Sequence, residues 1–169
     1  MATSAIRIPL EDYFRLDIKP ACEYIDGELR QKPMGTRDHM LIELRLVDLL
    51  RRLAQPGEVI HELSIRFADN SVLIPDVVVT WPNQRYEEHG LLEGPPRLCI
   101  EILSPSQRLS ELFEKCRELH ARGVEMCWVI DPARRRAWEY VTGTSEREIP
   151  AGGSLHAGEI DVTLAELFG

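Results

Sequence analysis

Hydrophobic and polar positions change period several times along the chain, and each change marks an element. In ACEYIDGELRQKP two short runs flank Asp26-Gly27, a pair that readily takes the positive φ angles of a tight turn, so an N-terminal hairpin is predicted. DHMLIELRLVDLLRRLAQPG then moves to helical spacing, with Ile42, Leu46, Leu49, Leu50 and Leu53 on one stripe. Asp38 is its expected N-cap and Pro56-Gly57 its stop. Leu41, Leu44 and Val47 widen the apolar surface, which predicts a helix covered on more than one side, by the rest of the domain or by a second subunit. EVIHELSIRF and SVLIPDVVVTW are rich in β-branched residues and separated by Asp69-Asn70, so two adjacent strands and a tight turn are expected. RLCIEILS reads as a short strand, and SPSQRLSELFEKCRELHARG as a helix that buries Leu109, Leu112, Phe113, Cys116 and Leu119. Ser104 and Ser106 are its expected N-capping residues, and Gly123 its end. EMCWVIDP and RRRAWEYV predict two further strands, and VTLAELFG a short closing helix. This order predicts an α/β fold with a mixed central sheet flanked by helices, residues 1–169 forming one domain.

Composition narrows the function classes. The chain carries 20 Lys and Arg against 28 Asp and Glu, a formal net charge of −8, and is 44% apolar, which suits a globular core and excludes a disordered or fibrous chain. No apolar stretch reaches the roughly 18 to 20 residues that cross a bilayer, and Arg7 and Glu11 break MATSAIRIPLEDYF too early for a secretory signal, so a cytoplasmic protein is expected. Cys22, Cys99, Cys116 and Cys127 have no CxxC or Cys/His ligand spacing and are expected to pack as reduced apolar residues. The acidic balance argues against a nonspecific nucleic-acid coat, which needs clustered Lys and Arg. It leaves room for a nuclease, whose bound cations supply positive charge locally. The runs Arg51-Arg52 and Arg134-Arg135-Arg136 read as solvated faces or turns. No phosphate-cradling GxxxxGK[ST] or GxGxxG loop is present.

Two carboxylates interrupt apolar strands, Asp76 in LIPDVVV and Glu101 in CIEIL, where an unpaired charge is costly to bury. A strand end or a partner arginine would compensate one of them. Two on neighbouring strands also suit Mg2+ or Mn2+, which takes hard oxygen ligands beside a phosphate. Alternation puts Cys99, Glu101 and Leu103 on one face of their strand and Leu98, Ile100 and Ile102 on the other, with the Ile102 carbonyl as a further hard ligand.

The ordered set CEYIDGEL, His39 on a helix, IPDVVV, CIEILSPS, Glu111 with Lys115, and RGVEMCWVIDP resembles the family of putative restriction endonucleases in the PD-(D/E)XK nuclease superfamily, from about residue 11 to 141. The resemblance implies a restriction endonuclease-like core with an N-terminal hairpin, magnesium-dependent hydrolysis of DNA, and metal held by Asp76 and Glu101. The superfamily lysine two positions after the Glu is replaced by Leu103, and the resemblance implies that Lys115, on the following helix, takes its place. Taken alone, Lys115 reads as a solvated helix lysine. Glu23 matches an acidic residue of the family's hairpin and implies a further ligand or orienter; alone, it reads as a surface residue. His39 reads either as a helix-start packing residue or as a contact to phosphate or water, and Asp131 as turn chemistry before Pro132. The chain departs from the family at Ile74, where Arg is usual, at Leu119, where Tyr is usual, and at Glu111, where Asp is usual. Twofold symmetry suits cutting both strands of a duplex, so a homodimer is expected. The alternative is a catalytically inactive nuclease-fold module that binds nucleic acid or protein, distinguished by a Lys115 side chain turned toward solvent.

Overall fold

The computed structural model describes residues 7–169; the part of the leader reading that rests on residues 1–6 lies outside the described residues. A short helix α1 (Leu10–Tyr13) precedes the expected hairpin of β1 (Cys22–Ile25) and β2 (Glu28–Gln31). Asp26 and Gly27 turn it with φ angles of 51° and 85°. Helix α2 (Arg37–Leu53) starts two residues earlier than predicted, and its N-cap is Thr36, not Asp38: Thr36 Oγ1 accepts the His39 amide at 3.4 Å. Asp38 lies in the first turn, where its charge suits the positive end of the helix dipole.

The two long strands expected in the middle of the chain are each divided. EVIHELSIRF forms β3 (Val59–His61) and β4 (Ile65–Arg66), and SVLIPDVVVTW forms β5 (Val72–Leu73) and β6 (Val77–Val79). The halves belong to different sheets. Strand β7 (Leu92–Glu93) completes a five-stranded sheet in the order β2-β1-β5-β4-β7. A six-stranded sheet of order β11-β10-β9-β8-β6-β3 is built with β8 (Leu98–Ile102), β9 (Met126–Asp131), β10 (Arg136–Val141) and β11 (Arg147–Glu148). Two local features cause the division. Pro75 has no amide to donate to a ladder, and Glu62 takes a left-handed φ of 49°. The two breaks meet where the Glu62 amide donates to the Asp76 carbonyl at 2.9 Å, so Asp76 stands at the seam between the sheets. The Asp69-Asn70 turn forms as expected, with Asn70 at φ 64° and β4 antiparallel to β5.

Strand β8 runs parallel to β9 and antiparallel to β6, so the larger sheet is mixed. Helix α2 covers one face, where Leu46 and Leu50 pack with Leu98, Ile100, Ile102, Trp128 and Ile130. Helix α3 (Leu109–Ala121) covers the other with Leu112, Phe113, Cys116 and Leu119, against Cys99, Cys127 and Val129. Its N-terminus corrects a second expectation: the N-cap is Arg108, whose amide donates to Glu111 Oε2 at 2.7 Å. Ser104 and Ser106 belong to the preceding turn, in which Gln107 Oε1 accepts the Ser104 amide at 3.2 Å. The four cysteines are free and buried.

Beyond β11 the chain adds the hairpin β12 (Ser154–Ala157) and β13 (Ile160–Thr163) and the closing helix α4 (Leu164–Phe168). Among the described residues no helix is long and apolar enough to cross a membrane. On α2, Val47 is buried as the widened stripe requires, but Met40, Leu41 and Leu44 stay exposed. Leu46 has no exposed surface, so Leu46→Ala is expected to lower unfolding stability by about 2–5 kcal/mol, read from the urea midpoint.

Candidate active site

Strand alternation on β8 sends Glu101 to the α3 side, while Ile100 and Ile102 enter the core beneath α2. The carboxylate meets Lys115, which rises from the edge of the buried α3 stripe: Lys115 Nζ lies 2.8 Å from Glu101 Oε1 and 2.6 Å from Glu23 Oε1. It also donates to the Ile74 carbonyl at 3.2 Å. Glu23 is 2% exposed, which replaces the surface reading of this hairpin residue, and its Oε1 accepts the Ile74 amide at 2.8 Å.

Asp76 is bound from three directions. Its Oδ2 accepts the Ile102 amide at 2.7 Å, its Oδ1 accepts Lys32 Nζ at 2.8 Å, and His39 Nε2 lies 3.3 Å from Oδ2. His39 is buried, and behind it Glu43 Oε1 pairs with His61 Nδ1 at 3.0 Å. Asp131 does turn chemistry as expected, accepting the Arg134 amide at 3.1 Å.

Glu23, Asp76, Glu101 and Lys115 thus converge in one cleft of about 490 Å³, with Lys32 beside them. Lys32 and Glu43 were not singled out by sequence reasoning. Lys32 follows the last residue of β2 and carries no periodic signal, whereas Glu43 interrupts the apolar stripe of α2 as Glu101 interrupts β8, a signal of the same kind. Two of the departures from the family pattern are absorbed by packing: Leu103 lies against the α3-side core and Leu119 is buried within it.

The electrostatics follow from burial and proximity. Burial pushes Glu101 up to about 7 despite the nearby Lys115 charge, and the Asp76 charge adds to the rise. Burial would lower Lys115, but Glu101, Glu23 and Asp76 outweigh it and keep the ammonium protonated. Burial would likewise raise Asp76, yet the His39 hydrogen bond and the charges of Lys32 and Lys115 hold it well below the usual carboxylate range. Glu43 is raised by burial and the Asp76 charge. His39 is raised because its bond to Asp76 and the carboxylate charges outweigh burial.

Glu101, Glu43 and His39 bind protons more tightly folded than unfolded, so each contributes stability at low pH that is lost as pH rises through its folded value. Depressed Asp76 acts in the opposite sense, but only as pH falls below its unfolded value of 3.8. The protein is therefore expected to lose stability at this site between roughly pH 4.5 and 7. Glu101→Gln should flatten that decline in urea titrations at pH 5, 6, 7 and 8; a slope equal to the parent protein's would show that Glu101 does not titrate there.

The fold has a counterpart among solved structures. The crystal structure of a "putative nuclease belonging to DUF820" from Anabaena variabilis superposes with a TM-score of 0.82 and 26% sequence identity, covering 95% of this chain and 97% of that one. A DrdV–DNA complex solved by cryo-electron microscopy superposes with a TM-score of 0.44 and 17% identity, covering 68% of this chain and 10% of that one. Among curated proteins none matches. The model of the Uma2 family, described as "Putative restriction endonuclease", matches residues 10–164, which span both sheets and every residue of the cleft, and the chain belongs to that family.

Proposed function

We propose that this chain is a cytoplasmic, Mg2+- or Mn2+-dependent endonuclease that hydrolyses phosphodiester bonds in DNA. The observation that carries this reading is the meeting of Asp76, Glu101 and Lys115, from a sheet seam, a strand and a helix, in one cleft. The alternative of an inactive module called for a lysine turned to solvent, whereas Lys115 Nζ lies between Glu23 and Glu101.

The donor set suits a hard divalent cation. Among the described residues no three His, Cys, Asp or Glu side chains form a ready-made metal cage. Mg2+ does not require one, because it keeps several waters and is held by one or two carboxylates. Asp76 and Glu101 would supply those carboxylates and Ile102 a backbone carbonyl. Glu101 Oε1 lies 2.8 Å from Lys115 Nζ, so a cation bound there would share this carboxylate with the ammonium. The bound ion would polarise the phosphoryl oxygen, lower the pKa of the attacking water and stabilise the departing 3′ oxygen.

The protein's own groups do the rest. Lys115, always protonated, positions the water and offsets the negative charge that grows on the phosphoryl oxygens. Glu23 and the Ile74 carbonyl fix the direction of that ammonium. Lys32 and the Ile102 amide hold Asp76 in one rotamer. A homodimer would present two such clefts to a duplex, and the exposed apolar side chains Met40, Leu41 and Leu44 of α2 suit a second copy.

Calorimetric titration of Mg2+ or Mn2+ should give binding that Asp76→Ala and Glu101→Ala each abolish. Plasmid cleavage should stop with EDTA and slow by about 10²–10³-fold in Lys115→Ala. A parent protein that binds no metal even with DNA present would favour the non-catalytic module. For the assembly, sedimentation velocity should report a dimer that Leu44→Glu converts to a monomer; a monomeric parent protein would remove the dimer from this reading.

A further inference from the structure

The cleft is an unfavourable place for a polyanion. Glu23, Asp76, Glu101, Glu111, Glu114 and Glu118 line it against three cations. Two of these cations, Lys32 and Lys115, are already paired with inner carboxylates. The third is Arg30, and its guanidinium is also engaged.

Arg30 stands directly opposite Glu23 in the β1–β2 register, so the two side chains share a face of the hairpin. Lys115 and Glu118 are three residues apart on α3 and share a face of that helix. The hairpin and helix are therefore joined by two rungs of opposite polarity. The inner rung is the buried Glu23–Lys115 pair at 2.6 Å. In the outer rung Arg30 donates two parallel hydrogen bonds to Glu118, at 2.7 and 2.9 Å. Its side chains are 51% and 32% exposed. An ion pair so exposed contributes little to folding and opens at little cost. A guanidinium fork that holds a carboxylate in this way offers the same geometry to a phosphate.

Resting on the nuclease reading above, we infer that Arg30 is the phosphate-binding residue of the cleft and that Glu118 is its built-in competitor. The nucleic-acid backbone takes the Arg30 fork over from Glu118, opening the outer rung while the inner rung keeps Lys115 aligned. Because the exposed pair opens at little cost, Glu118 biases the fork without locking it, and a backbone that also engages the inner site takes Arg30 over.

The test is fluorescence anisotropy with a fluorescein-labelled single-stranded oligonucleotide and its duplex, in calcium and in EDTA, over a series of salt concentrations. Glu118→Gln keeps the shape and removes the competing charge, so it should bind roughly three- to tenfold more tightly and steepen the salt dependence by about one phosphate contact. Arg30→Ala should weaken binding, Arg30→Lys should recover part of the loss, and the Arg30→Ala/Glu118→Gln double variant should bind like Arg30→Ala alone. A gain from Glu118→Gln that persists without Arg30 would reduce the effect to simple repulsion and overturn the inference. Unchanged binding with only a lowered Tm would make the pair a structural staple and overturn it equally. Cleavage that depends on Asp76, together with a Glu118→Gln variant that binds like the parent protein, removes the competitor and leaves the nuclease reading standing. A parent protein that neither binds nor cleaves removes both.

Discussion

The structure depends on how one buried carboxylate is satisfied. Asp76 sits where the chain passes from one sheet to the other, and an ionised group there is tolerable only with partners on every side. The Ile102 amide comes from the six-stranded sheet, Lys32 follows the hairpin of the five-stranded sheet, and His39 comes from α2. Meeting the needs of one side chain therefore ties two sheets and a helix together. Pro75 takes part by withholding an amide, which breaks the ladder and frees the chain to change sheets just before Asp76.

The lysine that meets Glu101 comes from a helix and not from the carboxylate's own strand. A strand lysine two residues after Glu101 would project to the same face as Glu101; Leu103 instead packs against the α3-side core. Lys115 reaches the same carboxylate from the helix above, and its long stem lets the ammonium cross the apolar edge of α3.

Much of this was legible in the sequence, for physical reasons that differ by element. β8, β9 and β10 read as near-continuous apolar runs because both faces of the larger sheet are covered, and α3 carries a helical stripe, although its start lies beyond the two serines expected to cap it. Asp76 and Glu101 were visible because a charge in an apolar run demands an explanation. The division of the two middle strands was harder to see, since β-branched composition continues across the break and only Pro75 interrupts it. Lys32 could not be found by pattern, because its partner is far away in sequence and its burial depends on how the hairpin seats on the seam. β11 was missed for the opposite reason: Arg147 and Glu148 are both exposed, so no apolar signal marks the strand.

The cleft draws Glu23 from the hairpin, Asp76 from the seam, Glu101 from the larger sheet and Lys115 from α3, and no stretch of chain holds more than one of them in place. A nascent or partly unfolded chain therefore has scattered carboxylates and no shared cavity. Burial of the charges and assembly of the cleft are one cooperative event, so a partly folded chain lacks the whole cleft at once and not one wall of it. Unfolding any one of these elements dismantles the whole arrangement of charges.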